Sequence, residues 1–475
     1  MLNGGRAEIV GHTSGGSTAN PSSSSYCSPS PALPRLPHSH GTCEGKATMN
    51  KTVVRCALVV FLLASLMSCK KSEPTAAELP VDTSVVLVDT NWIYQTQFDV
   101  PWPGLANSPW PMILHDPQHT GRSPYRGPQE GKVEWLFDAG YYVYSSPVID
   151  LDGSVYFGVM LRKYFYGITP SGSQKWRSLG GGADGSPLIA NDGSIYIFGS
   201  GALQPNTALL SYDRNGNLNW EYVVGPQTSL CSPVISRDGD IIYLAAKYLH
   251  AIRRDGTLYW KQLPFDSAGQ GYQGYCYSAA MSPDGSTLYV PAFQGLYAVD
   301  TSGTVKWKFG GDAASNPAVD NDGNIYFGQS SGHLYSLNPS GTIRWMLSDI
   351  DWGPMDPGPV IGRDGTIYIT GRALYAVDYA GKLKWKYRFP KLNSQCTPAI
   401  DSAGTIYLGR NTYRTVADSI NFLAVNANGT LKFELSMRSP DGSVPDIDSR
   451  PAIGADGRIY VGSDQPRGFH VYKIK

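Results

Sequence analysis

Two histidines four residues apart are the first side chains whose type and spacing suggest chemistry. His115 and His119 lie in the run WPMILHDPQHTGRSP, which covers residues 110–124. Two histidines at this spacing on one helix face can bind a metal ion, but Pro117 lies between them and interrupts a helix. We therefore interpret both histidines as structural, because a motif without its structural context is a weak indicator.

Other signals of metal or catalytic chemistry are weak. Asp150-Leu-Asp152-Gly153 resembles the start of a calcium loop but lacks its final Glu, so it is more simply a hairpin turn. The sequence contains no H-E-x-x-H and no phosphate-binding loop. Lys plus Arg and Asp plus Glu both total 39, so no basic field is available to hold nucleic acid.

The chain is organised by an internal repeat, of which residues 296–328 form one unit, LYAVDTSGTVKWKFGGDAASNPAVDNDGNIYFG. Its short apolar segments and tight glycine turns predict four strands, at 296–300, 304–309, 317–320 and 325–328. A small sheet of this kind cannot bury both of its faces alone, whereas stacked copies can.

Each anchor residue of the repeat occurs eight times. A turn glycine, a tyrosine just after it and a strand-leading proline or alanine six residues before it recur between residues 147 and 460. The other half of each unit carries one large aromatic residue: Trp135, Trp176, Trp220, Trp260, Trp307, Trp345, Trp385 and Phe433. Seven of these follow, by nine residues, a small side chain on which a ring can dock, burying on the order of 200 Å². We therefore interpret the aromatics as packing between neighbouring units and not as a stacking platform for nucleic acid.

The two ends of the repeat region complete each other. Residues 131–137 have an aromatic strand but no preceding strands, and residues 451–475 end after their third strand. The sequence therefore predicts an all-β fold, an eight-bladed β-propeller of four-stranded antiparallel blades closed by pairing of these two ends. We expect it to be monomeric and to cover residues 110–475.

The N-terminal region predicts export and a lipid anchor. Residues 1–48 are rich in Ser, Gly and Pro, which favours disorder or a translation start at Met49. Residues 49–68 have a basic start and a short apolar segment typical of a signal peptide. They end at Leu66-Met-Ser-Cys69, which resembles a lipobox, so Cys69 is the predicted lipidation site. Residues 69–109 are polar and contain prolines, which indicates a flexible tether.

WPMxxHDPQHTGRSP, followed by units of the form AVDxxGxxxW, resembles the pyrroloquinoline-quinone-like (PQQ-like) β-propeller repeat proteins. The resemblance covers residues 110–475. The family includes BamB-like outer-membrane assembly lipoproteins and the quinoprotein dehydrogenases. The resemblance therefore implies a bacterial envelope protein, and the predicted anchor favours the outer membrane over the inner membrane.

The same resemblance offers an enzymatic alternative, a PQQ-dependent oxidoreductase. Such enzymes hold PQQ and Ca²⁺ with Glu, Asn and Asp side chains and usually carry adjacent cysteines. This sequence has no Cys-Cys pair, and its glutamates beyond the tether are Glu130, Glu134, Glu221 and Glu434, of which the last three flank docking aromatics. We expect no cofactor and favour a binding or scaffolding protein with a protein or peptide partner in the envelope. A carbohydrate-binding or sensing module is a third possibility.

Cysteines beyond the tether do not form a framework. Cys231, Cys276 and Cys396 are odd in number and include no C-x-x-C. Cys231 and Cys276 enter neighbouring blades, which leaves a disulfide between them open. Two buried thiols are the simpler interpretation, which we favour.

The units differ most where the chain enters each proline-led strand. The residue before the proline is small in seven units and is Arg450 in the last. We predict that this end of the channel is the binding surface, because aromatic residues also concentrate there. Asp448 and Arg450 share a strand face, so simple pairing of the two is an equally good interpretation. The candidate binding residues are Tyr144, Asp184, Tyr275, Asn316, Trp352, Asp356, Asp448 and Arg450.

Overall fold

The computed structural model describes residues 91–475 except 161–163, 183–184, 204–205, 226–230, 263–276, 293, 349, 352–356, 390–393, 412–419 and 465–468. The predicted signal peptide and Cys69 lie outside the described residues. The part that is described contains 32 β-strands and no helix. It accordingly offers no helical segment that could cross a membrane.

The strands are numbered along the chain, beginning with β1 (Val133–Asp138). Blades 1 and 2 consist of β2 (Val148–Ile149), β3 (Val155–Val159), β4 (Tyr164–Ile168), β5 (Gln174–Leu179), and of β6 (Leu188–Ile189), β7 (Ile195–Ser200), β8 (Thr207–Tyr212), β9 (Leu218–Gly225). Blades 3 and 4 consist of β10 (Val234–Ile235), β11 (Ile241–Ala245), β12 (Leu249–Arg253), β13 (Leu258–Lys261), and of β14 (Ala280–Met281), β15 (Thr287–Ala292), β16 (Gly295–Asp300), β17 (Val305–Phe309).

The second half of the ring continues the same pattern. Blades 5 and 6 consist of β18 (Ala318–Val319), β19 (Ile325–Gln329), β20 (His333–Leu337), β21 (Ile343–Leu347), and of β22 (Val360–Ile361), β23 (Ile367–Thr370), β24 (Ala373–Val377), β25 (Leu383–Arg388). Blade 7 consists of β26 (Ala399–Ile400), β27 (Ile406–Gly409), β28 (Phe422–Val425) and β29 (Leu431–Leu435). Blade 8 contributes β30 (Ala452–Ile453), β31 (Ile459–Gly462) and β32 (His470–Ile474).

The eighth sheet closes the ring. Seven sheets pair their four strands in chain order, whereas the eighth has the order β1-β32-β31-β30, with Trp135 opposite Lys473 and Phe137 opposite Val471. The predicted eight-bladed architecture and its closure by the two ends of the chain are therefore confirmed. Closure pairs a strand edge that the C-terminal three strands would otherwise expose.

The repeated aromatics join neighbouring blades. The small residue nine positions earlier is the cross-strand partner of the aromatic, as with Ala298 opposite Trp307. Each indole also packs on a turn glycine of the next blade; an added Cβ on Gly216 would lie 2.5 Å from the ring of Trp176. Seven indole N–H groups donate to carbonyls of that turn at 2.8–3.1 Å, on Pro170, Arg214, Arg254, Thr301, Pro339, Tyr379 and Ala427. Phe433 packs on Gly131 in the eighth junction without such a bond.

Residues 91–123 run outside the blades. We name residues 91–109 the strap and residues 110–123 the plug. The predicted flexible tether extended to residue 109, but the strap is fixed to the blades. Its backbone forms hydrogen bonds such as Gln97 N–H to Arg363 O at 2.8 Å and Gly104 N–H to Arg237 O at 2.9 Å. Trp102 and Leu105 of the strap are buried against the propeller. The sequence signal failed here because a polar, proline-containing segment can be fixed by its backbone alone.

Candidate binding site in the propeller channel

The propeller channel has two mouths that are built from different connections. In each antiparallel blade, the turn from the innermost strand to the second strand lies at one mouth, which we name the turn mouth. The chain enters each innermost strand at the other mouth, which we name the connection mouth. The Asp-Gly turns of the repeat form the turn mouth, and the variable connections form the connection mouth.

The plug fills the channel at the level of the innermost strands. Plug carbonyls accept the second N–H of the innermost strand in six blades, at 2.7–2.9 Å: Trp110 from Ile149, Pro111 from Ile189, Pro117 from Met281, Gln118 from Val319, Thr120 from Ile361 and Gly121 from Ile400. An innermost strand has an open edge toward the channel, and an unpaired buried N–H is costly. The plug therefore satisfies inner edges that the blades cannot satisfy themselves.

The strap covers the turns that surround the plug. Phe98 N–H donates to Asn321 Oδ1 at 2.6 Å, and Asn191 Nδ2 donates to Pro103 O at 2.7 Å. The indole of Trp102 donates to Ile235 O at 3.0 Å. The chain thus occupies its own turn mouth across several blades.

Arg122 links the plug, the strap and blade 6. Its side chain is 1% exposed and donates from Nη2 to Phe98 O at 2.9 Å, from Nε to Asp99 Oδ1 at 3.1 Å and from Nη1 to Ile361 O at 3.3 Å. A buried guanidinium needs such partners to be tolerated. This arginine was not among the residues predicted from the sequence, although its position in the WPMxxHDPQHTGRSP run could have drawn attention to it.

His119 lies at the centre of the plug and is fully buried. Its Nδ1 lies 3.0 Å from Pro317 O, and because a carbonyl can only accept, Nδ1 carries the hydrogen. Burial lowers the pKa of His119 to about 4, so the ring is neutral near pH 7. His115 instead contacts Asp116, with Nδ1 3.4 Å from Oδ2. No metal-binding group of three His, Cys, Asp or Glu side chains occurs in the described ranges.

Above the plug, the residues that precede each innermost strand form a hydrogen-bonded ring. The backbone N–H at this position donates to the side chain at the same position in the next blade, at 2.6–3.0 Å, in six pairs: Arg450 to Ser146, Ser146 to Ser186, Ser186 to Ser232, Ser232 to Ser278, Ser278 to Asn316 and Gly358 to Thr397. The small residues predicted at the channel therefore serve blade-to-blade contact. Gly358 has no side chain and Arg450 has no acceptor, so these two positions leave the ring open.

Arg450 is the one charged residue among the eight ring positions. Beyond its backbone bond to Ser146, its guanidinium has no hydrogen bond within the described part of the chain, and Nε is buried without a partner. The charge acts on Cys396, Tyr277 and Asp448, and on His119 of the plug. Burial lowers the pKa of Arg450. Among the described residues it makes no ion pair with Asp448, so the simple pairing left open by the sequence is not what the structure shows.

Asp448 lies beside this arginine. Burial raises the pKa of its carboxyl well above the usual value, and the neighbouring Asp464 and Asp446 raise it further. Asn316 uses its Oδ1 as the acceptor from Ser278 N–H, whereas its Nδ2 is buried without a partner in the described structure.

An aromatic cluster lies at the connection mouth between blades 8 and 1. The ring centroids of Tyr141 and Tyr142 are 4.6 Å apart, and Phe469 stacks on Tyr141 at 5.7 Å. Tyr144, a predicted binding residue, is 6.1 Å from Tyr142. All four rings are half-buried. Asp184, Tyr275, Trp352 and Asp356 lie outside the described residues, as does Cys276, whose pairing with Cys231 was left open.

Two enzyme signatures can be located on the fold. Glu134, Glu221 and Glu434 lie on the outermost strands β1, β9 and β29, away from the channel. Residues 328–332, GQSSG, match G-x-S-x-G, but they form the turn between β19 and β20 and not the strand-to-helix elbow of hydrolases. The hydroxyl of Ser330 bonds to Asp312 and is exposed. Neither the glutamates nor this serine is placed beside other catalytic side chains in the described structure.

The fold and the channel define an eight-bladed β-propeller whose turn mouth is closed by its own N-terminal segment. The family model described as outer membrane protein assembly factor BamB matches residues 292–474. The resemblance to PQQ-like, BamB-like propellers is thereby confirmed. No curated protein matches the chain by sequence.

Solved structures share the fold. BamB from Moraxella catarrhalis is similar with a TM-score of 0.53 and 15% identity, covering 72% of this chain and 99% of that one. The Dos1 propeller has a TM-score of 0.52 and 13% identity, covering 73% and 95%. The C-terminal WD40 domain of Sif2 has a TM-score of 0.53 and 10% identity, covering 73% and 98%. At these identities the likeness shows the fold alone.

The buried plug histidine predicts a pH effect on stability. Because the pKa of His119 falls from an ordinary 6.5 to about 4 on folding, the unfolded chain binds more protons between these values, and stability is lost as the pH falls below 6.5. The loss at pH 5 is about 2 kcal/mol relative to pH 7.5. We expect His119→Gln to lack this loss of stability when urea unfolding is compared at pH 5 and pH 7.5. His250 and His470, whose pKa values are also lowered, act equally in both proteins. Equal pH dependence of parent and variant would contradict the assignment.

Proposed function

We propose that the protein is a lipid-anchored binding or scaffolding protein of the bacterial envelope that assists the assembly of outer-membrane proteins. The match of residues 292–474 to the BamB family model carries this proposal. The similarity to a solved BamB supports the scaffold but not the role. The partner in this proposal is a protein or peptide, and the propeller acts as a monomer.

The working surface in this proposal is the connection mouth. The turn mouth is covered by the strap and filled by the plug, whereas the connection mouth carries the cluster of Tyr141, Tyr142, Tyr144 and Phe469. Half-buried aromatic rings in a group are typical anchors of protein interfaces. Variable connections over a rigid frame are also where function is usually found.

Two observations on the described residues favour a binding protein over the quinone enzyme. The resemblance implies a Glu ligand for Ca²⁺, and the three glutamates on β1, β9 and β29 are far from the channel wall by topology. The inner strand edges that face the channel are also engaged by the plug. No observation favours the carbohydrate-binding alternative over a protein partner.

Aromatic truncation at the connection mouth tests the proposal. We expect Tyr142→Ala to weaken capture of outer-membrane assembly proteins from envelope extracts about 30-fold, corresponding to about 2 kcal/mol for an interface anchor. Trp352→Ala and Tyr275→Ala are expected to act in the same direction. Leu151→Ser is the control, because Leu151 is 73% exposed in a turn of the opposite mouth. If the control loses capture and the aromatic variants keep it, the binding surface lies at the turn mouth and the proposal is wrong.

The anchor is tested separately. We expect Cys69→Ala to release the protein from membranes, because acyl chains contribute about 0.8 kcal/mol per buried methylene and the described chain offers no spanning helix. Fractionation of cells into soluble and membrane pools measures the change. If the variant still sediments with membranes, a different anchor holds the protein.

A further inference from the structure

The channel above the plug contains the positive charge of Arg450, for which the described residues supply no hydrogen-bond or ion-pair partner. The guanidinium of Arg450 makes no hydrogen bond or ion pair with a described residue, and Asp448, the acid nearest to it in sequence, has a buried Oδ1 that is likewise without a partner there. Arg450 is half-buried, and a guanidinium whose Nε is withdrawn from water without a partner is destabilising unless something pairs with it. The described protein supplies no such group.

A structural role does not account for arginine at this position. In the hydrogen-bonded ring, Ser, Asn or Thr accepts the N–H of the preceding blade, and six links are formed in this way. Arg450 has no acceptor, so the ring loses the link that Thr397 N–H would make. A serine would supply this link, leaving Gly358 as the remaining gap, and would remove the unpaired charge. Residues that lower stability in this way are concentrated at functional sites.

A second donor, on another residue of the same ring, has no partner among the described residues. Asn316 is 2% exposed, and because its Oδ1 is fixed by Ser278 N–H, its Nδ2 is left without a partner in the described structure. His119 interacts with both positions. Its Nδ1 donates to the carbonyl of Pro317, next to Asn316, and the charge of Arg450 contributes to lowering the pKa of its ring. The neutral ring of His119 offers a lone pair on Nε2, which adds no positive charge.

We propose that the channel between the plug and the connection mouth binds a carboxylate, with the guanidinium of Arg450 as the charged donor and the side-chain amide of Asn316 as the neutral donor. The planar fork of a guanidinium matches the two oxygens of a carboxylate. One cation balances one negative charge, whereas a phosphate would carry more charge than Arg450 can neutralise. The site goes beyond the proposed function, because either a small free acid or the terminal carboxylate of a peptide supplies this chemistry.

Melting of the purified protein with four probes tests the site. The probes are acetate, the tripeptide Ala-Ala-Ala as its free acid, the same tripeptide as its amide, and chloride at equal ionic strength. We expect a rise in melting temperature with at least one carboxylate and none with the amide or chloride. A response to acetate alone indicates a small acid, and a response to the free tripeptide indicates a chain terminus. Equal responses to chloride and both carboxylates would mean an adventitious ion only and overturn the proposal.

Two variants separate binding from folding. Arg450→Ser is expected to melt about 2 °C or more above the parent, because it removes the unpaired charge and supplies the missing acceptor for Thr397 N–H, and to lose the response to carboxylates. Asn316→Ser keeps the ring acceptor used in blades 1 to 4 and is expected to weaken binding about 5-fold. A retained response in Arg450→Ser, or a lower melting temperature, would show that arginine is structural there. If Arg450→Ser does not fold, that outcome also overturns the proposal.

Discussion

Removal of residues 131–137 is expected to abolish the cooperative thermal transition of the propeller. These residues supply β1, the partner of β32 from Val133 opposite Ile474 to Asp138 opposite His470. Without β1, the buried strand β32 becomes an open edge. The deletion also removes Trp135, which packs on Gly172 of blade 1, so the contact across the closure is lost. Calorimetry of the deletion variant beside the parent measures the effect.

Trp135→Ala separates the two contributions of the closing strand. It keeps the backbone pairing of β1 with β32 but removes the indole that donates to Pro170 O at 3.1 Å. We expect a loss of about 3 kcal/mol with the transition still cooperative. A deletion variant that melts as the parent does, in one sharp transition at the same temperature, would show that closure does not depend on β1.

The blades could be predicted from the sequence because each of their determinants is periodic. The nine-residue spacing between Ala298 and Trp307 is repeated in other units, and it proved to be the spacing of cross-strand partners. The end fragments then allowed only one way to close the ring. The small residues at the channel were also located correctly, since they hold a fixed offset from the strand-leading proline.

The plug and the ring could not be predicted because neither leaves a periodic side-chain signal. The plug holds the blades through its own backbone carbonyls, and its sequence occurs once. Leu114, His115 and His119 have positive φ angles of 54°, 76° and 56°, a conformation that non-glycine residues rarely adopt and that the sequence does not indicate. The ring pairs residues 38 to 304 positions apart, so only the closed structure shows that Arg450 interrupts it.

Gly121→Ala is expected to destabilise the protein by about 3 kcal/mol, because it disturbs the plug at its tightest point. Gly121 has a φ angle of 64°, which costs about 1 kcal/mol for a residue with a Cβ. The added Cβ would lie 2.4 Å from Val360 Cγ1 and 3.2 Å from Pro398 O, so blade 6 or the plug must shift. Overpacking of a tight core costs a further ~1–3 kcal/mol. The shift would also strain the bond from Ile400 N–H to Gly121 O.

Gly140→Ala is the matched control for this prediction. Gly140 has a φ angle of 74°, but a Cβ added there meets nothing within 4 Å. It therefore reports the backbone cost alone, about 1 kcal/mol. The difference between the two variants in urea unfolding measures how much the fit of the plug contributes to the stability of the ring. Equal losses for both variants would show that the plug lies loosely in the channel, and the inner strand edges would then have to be satisfied by water.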